Sequence, residues 1–87
     1  MTYRVEITAP SRRSIRALVR PVQVRIIRAL EALAEAPRPH GCMKMAGPGD
    51  LYRIRVGEWR IVYAVEDDRL VVLVVRVGHR GDVYRAR

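Results

Sequence analysis

Leu51-Tyr52-Arg53-Ile54-Arg55-Val56-Gly57-Glu58-Trp59-Arg60-Ile61-Val62-Tyr63 is the stretch that decides the fold. Apolar side chains alternate with arginine on both sides of Gly57-Glu58, the period-two pattern of strands that bury one face. Glycine followed by an arbitrary residue between two such runs predicts a two-residue hairpin turn of the II′ kind. A turn of that length fixes the pairing, so Val56 faces Trp59, Ile54 faces Ile61 and Tyr52 faces Tyr63. Those six residues make one apolar face, which should pack on helices. The opposite face receives Arg55 across from Arg60, with Arg53 two residues along.

Working outward, the strand after Trp59 runs to Val65, and the turn Glu66-Asp67-Asp68-Arg69 leads into a third strand, Leu70 to Val77. That strand is apolar on both faces, which predicts a central place in the sheet. Upstream, residues 37–50 hold three of the five prolines and three of the six glycines, the composition of an irregular loop. Before it, Val22, Ile26, Ile27, Leu30, Leu33 and Ala34 form one apolar stripe at helical spacing, predicting a helix from Val22 to Glu35 that Pro21 opens. A shorter helix is expected from near Arg12 to about Arg20, with Ser11 as its cap and Pro10 ending the strand Tyr3–Ile7. The expected fold is α+β: a strand, two helices, then a three-stranded antiparallel meander, forming one antiparallel sheet with the helices on one face. At 87 residues there is room for one domain, 1–87.

The charge is the strongest global signal. Seventeen basic residues against nine acidic give a net charge of +8. Sixteen of the basic residues are arginine and one, Lys44, is lysine; a GC-rich genome would explain arginine in place of lysine, but not the excess over acid. Such a balance attracts polyanions and points to nucleic acid or another acidic partner. No apolar run approaches the roughly 20 residues of a membrane span, and the N-terminus has no apolar signal region. The single Cys42 cannot form an internal disulfide, which suits a reducing compartment, the cytoplasm. His40, Cys42, His79 and the acids show no metal-ligand spacing, so neither a metal nor another cofactor is expected. There is no phosphate-binding glycine loop and no nucleophile elbow.

Like charges directly opposed across a sheet destabilise it. Arg55 and Arg60, with Arg53 beside them, admit two readings: an anion-binding face, or a solvated outer face whose long side chains splay apart. Beyond the last strand, Gly78-His79-Arg80-Gly81-Asp82-Val83-Tyr84-Arg85 sets glycines around a His-Arg pair and adds a phenol that could stack on a base or donate a proton. A basic chain end with Tyr84 as a packing residue is the plainer alternative.

The segment from Tyr52 to Tyr63, followed by Val74-Val75-Arg76-Val77-Gly78-His79-Arg80 and Val83-Tyr84-Arg85, resembles the RelE branch of the RelE/ParE toxin superfamily over nearly the whole chain. The resemblance implies the toxin of a type II toxin–antitoxin pair: an enzyme that cleaves mRNA without a metal, in the ribosomal A site, and is neutralised by a RelB-like antitoxin. It implies catalytic roles for three residues. Arg60 would hold the scissile phosphate, Arg80 would serve the leaving group, and Tyr84 would orient or activate the attacking 2′-hydroxyl or stack on the base. Lys44, Arg53, Arg55 and His79 would bind RNA. RelE tends to carry lysine where this chain has Arg53 and Arg55, and arginine is never a general base; the base would fall to Tyr84, His79, Lys44 or water, or the ribosome would assist. Two rivals remain open on sequence: a ParE-like inhibitor of DNA gyrase acting by protein binding, and a non-catalytic basic RNA-binding module.

Overall fold

The computed structural model describes residues 2–47 and 49–80. Its elements run β1 (Arg4–Ile7), α1 (Ala9–Arg16), α2 (Arg20–Glu35), β2 (Met43–Lys44), β3 (Leu51–Val56), β4 (Trp59–Glu66) and β5 (Val71–His79). The α+β class and the placing of helices on one sheet face are as the sequence predicts. Two details differ. The five strands lie in the order β1-β5-β4-β3-β2, and β1 pairs parallel to β5, so the sheet is mixed rather than wholly antiparallel. Two helices and a full meander separate β1 from β5, leaving ample chain for a parallel return. The loop 37–50 also contributes an edge strand, the two-residue β2 beside β3.

Helix α1 starts three residues earlier than expected. Thr8, not Ser11, is its cap: the Ser11 amide donates to Thr8 Oγ1 at 3.4 Å. Pro10 sits inside the first turn, where a missing N–H leaves no helical bond unmade. Ser11 instead turns inward, almost fully buried, and accepts from the Thr8 hydroxyl at 2.8 Å. Helix α2 begins at Arg20 with Pro21 in its first turn, and buries Ile26, Leu30 and Leu33 at i, i+4 and i+7. Each buried aliphatic side chain of this kind contributes roughly 1.5–3 kcal/mol. Ile27, which the periodicity also assigns to the stripe, is 43% exposed.

The hairpin register is the one the sequence dictates: Tyr52 pairs Tyr63, Ile54 pairs Ile61, Arg55 pairs Arg60 and Val56 pairs Trp59. Gly57 has φ +62° and Glu58 does not share a positive φ, the II′ signature. The six apolar side chains of this hairpin all join the core with Ile15, Ile26, Leu30 and Leu33. Strand β5 is interior, between β1 and β4. Its register against β4 slips by one residue: Val62 pairs Arg76, but Tyr63 pairs Val74, leaving Val75 as the extra residue of a bulge.

The end of the sheet away from Gly57 is held by a polar network. Arg38 makes two bonds to Asp67, at 2.8 and 3.2 Å, and its Nε donates to the Tyr52 hydroxyl at 3.0 Å. Tyr3 donates to Asp67 at 2.7 Å. The Arg38 bonds, followed by the Tyr3 bond, hold the Asp67 carboxyl below its ordinary pKa. Tyr63 is fully buried and donates to the Pro37 carbonyl at 2.7 Å. Burial, before any other cause, pushes its phenol pKa up.

Candidate functional site

Directly opposed residues in antiparallel strands share a face. On the face away from the helices, two rows therefore cross the sheet. One carries Arg55, Arg60 and Gly78; the next carries Met43, Arg53, Val62 and Arg76. Four arginines thus share this face on adjoining rungs of β3, β4 and β5. The sequence brings Arg53, Arg55 and Arg60 together correctly. It does not single out Arg76, because the bulge that turns Arg76 to this face leaves no mark in the residue pattern of β5.

Arg60 is the pivot of the cluster. It is 2% exposed, the one charged residue among the described residues that is buried. A guanidinium cannot shed its charge to relieve burial. Arg55, directly opposite, is exposed, and Arg53 is half-buried with its Nη2 at 3.1 Å from Met43 Sδ.

The other sequence-derived candidates are distributed differently. Arg80 is exposed, and its backbone amide donates to the Glu58 carbonyl at 2.8 Å, anchoring it at the hairpin tip two residues from Arg60. His79 pairs with Trp59, which places it on the helix side of the sheet, opposite to the arginine rows; the two rings meet edge to face at 5.4 Å. Lys44 pairs with Tyr52, again the helix-side register, and its Nζ lies 3.5 Å from Asp50. Neither His79 nor Lys44 thus joins the arginine face. Tyr84 lies outside the described residues. Among the described residues no three of His, Cys, Asp and Glu come together as a metal-binding group.

Such an arrangement can hold a polyanion along two rungs. Paired guanidinium bonds suit a phosphodiester, and they meet added negative charge with no proton transfer. None of the four arginines can act as a base.

Comparison with known proteins gives a consistent picture. Residues 5–84 match the family described as the ParE toxin of the type II toxin–antitoxin system parDE. Toxin RelG of Mycobacterium tuberculosis is 28% identical over 86 residues, covering 98% of this chain and 99% of that protein. The archaeal RelE–RelB complex from Pyrococcus horikoshii contains a chain that superposes with a TM-score of 0.83 at 30% identity, covering 93% of this chain and 98% of that one. The toxin of the intact Escherichia coli RelBE complex superposes at 0.78 with 29% identity, covering 88% and 95%.

Proposed function

Because the chain belongs to the ParE toxin family of type II toxin–antitoxin systems, within the RelE/ParE superfamily, we propose that it is a metal-independent endoribonuclease that cleaves mRNA in the ribosomal A site. The observation that carries this reading is the placing of Arg53, Arg55, Arg60 and Arg76 on one face along adjoining rungs, with Arg60 buried. An RNA 2′-hydroxyl gives up its proton to a base as it attacks the adjacent phosphorus; the O2′–P bond forms, the P–O5′ bond breaks, and a proton is returned to the departing 5′-oxygen. The phosphorane on this path carries one more negative charge than the diester. Arg60 holds the phosphate and meets that charge, while Arg80, anchored at Glu58, serves the leaving oxygen. Tyr84 orients the nucleophile. Arg53, Arg55 and Arg76 hold the flanking phosphates. Lys44 and His79, off that face, contribute to RNA binding rather than to the reacting centre. The protein works in the cytoplasm and is silenced by a RelB-like antitoxin, as the RelE chains of the solved complexes are bound by RelB.

Removing one donor that acts on the developing charge slows such reactions about 100- to 1000-fold. Arg60→Ala and Arg80→Ala should each do so while still binding the antitoxin; Arg80 is exposed, so its loss leaves folding out of the question. Primer extension on cellular mRNA after induction should show codon-phased cuts for the wild type and none for either variant. Undiminished cutting by both variants overturns the assignment.

The ParE description of the matching family favours one second reading, a toxin that inhibits DNA gyrase by binding it. Induction would then produce a supercoiling defect with mRNA intact.

A further inference from the structure

Strand β1 ends at Ile7, opposite Val74, while β5 runs on to His79. From Val75 onward, β5 has β4 on one side and, on the other, no described strand but helix α1. Between α1 and this flank lies a groove of about 570 Å³, within the range of small-ligand sites. Its walls include Ser11, Ser14, Leu18, Trp59, Arg76 and His79.

We infer that this groove is a nucleotide-binding subsite for the RNA strand as it leaves the arginine face and passes over the end of the sheet. The inference rests on the proposed action on RNA and names a site for it on the opposite side of the sheet. Three observations carry it. The groove is continuous with the arginine rows: Arg76 belongs to both, and Arg60–Gly78 and Trp59–His79 are adjacent rungs facing opposite ways. Its wall is aromatic, with the Trp59 and His79 rings in contact at 5.4 Å, the kind of surface on which bases stack. Its surroundings are cationic: Arg76 lines it, Arg80 follows His79, and no described lining residue is acidic. A flexible single strand can turn over a sheet edge in this way, whereas a stacked duplex cannot.

Trp59 is the only tryptophan in the chain and stands in the groove, so its emission reports occupancy directly. The probe is a short single-stranded RNA with 2′-O-methyl groups throughout, which cannot be cleaved. Titration into the full chain should change Trp59 emission saturably. Ser14→Phe, which fills the groove, and Ser14→Glu, which puts an acid in it, should each weaken binding about tenfold, the scale of one lost stacked base. Arg28→Glu, on α2 outside the groove, should weaken it far less. Antitoxin binding confirms that each variant folds. Unmoved Trp59 emission at saturating RNA, or groove variants that bind as the wild type does, overturn the subsite. If they do so while Arg60→Ala abolishes cleavage, the proposed ribonuclease stands and the groove alone fails. An emission change produced by an antitoxin peptide but not by RNA also overturns it, and makes the groove a protein-binding site.

Discussion

Gly57 shows how a single residue shapes the arginine site. Its φ of +62° belongs to the II′ turn that aligns Arg55 with Arg60, and a Cβ added there would stand 2.8 Å from Nη2 of Arg25. Two costs therefore compete in Gly57→Ala. The clash is with the far end of a flexible side chain on α2, which can move aside cheaply. The left-handed backbone is not so easily relieved and costs a non-glycine residue about 1–2 kcal/mol. The strain should dominate: Gly57→Ala loses about 1–2 kcal/mol in chemical denaturation, and adding Arg25→Ala restores only a minor part. Full recovery in the double variant would show that the clash dominates instead. The residue pattern alone identifies the turn and the Arg55–Arg60 pair. It is silent on Arg25, whose approach depends on how α2 crosses the sheet.

At the scale of elements, the bulge in β5 distributes the candidate site. Continuing the pairing of Tyr63 with Val74 without it would set Arg76 opposite Ile61, in the core, and Val77 opposite Arg60. One extra residue reverses every later side chain. Arg76 goes to the arginine face, Val77 to the core, and His79 to the helix side beside Trp59. The opposite end of the sheet depends on a different device, the contact of Arg38 with Asp67 that ties the loop after α2 to the β4–β5 turn. Asp67 is held below its ordinary pKa, so its ionised form is favoured by folding. That contribution is fully present above the ordinary carboxylate value and is lost as pH falls below it, towards the lower folded pKa. Asp67→Asn should therefore flatten the acid limb of the stability profile below about pH 4 and leave its shape above unchanged, measured by thermal unfolding across pH. The contact is exposed, so the effect is small and screened by salt.

Over the whole molecule the excess of positive charge becomes a binding property. Four arginines on one face, each meeting a phosphate, give a salt slope of about −3 for single-stranded RNA, at about −0.7 per contact. Affinity should then fall roughly 50-fold between 50 and 200 mM salt. A shallow slope of about −1 would mean that most of these arginines meet no phosphate. No helix among the described residues is long and apolar enough to cross a membrane.

The sequence by itself determines the hairpin, its register, the apolar face against the helices and the opposition of Arg55 and Arg60. These follow from a period of two and a two-residue turn, which are local properties of neighbouring residues. Only the tertiary structure decides that β1 lies parallel to β5, that Arg76 joins the arginine face, and that His79 and Lys44 leave it. Strand β5 is apolar on both faces, so its pattern carries no information about register. The choice falls to packing: a valine in the core removes apolar surface from water, whereas a guanidinium placed there would have to be desolvated and matched at a cost of several kcal/mol.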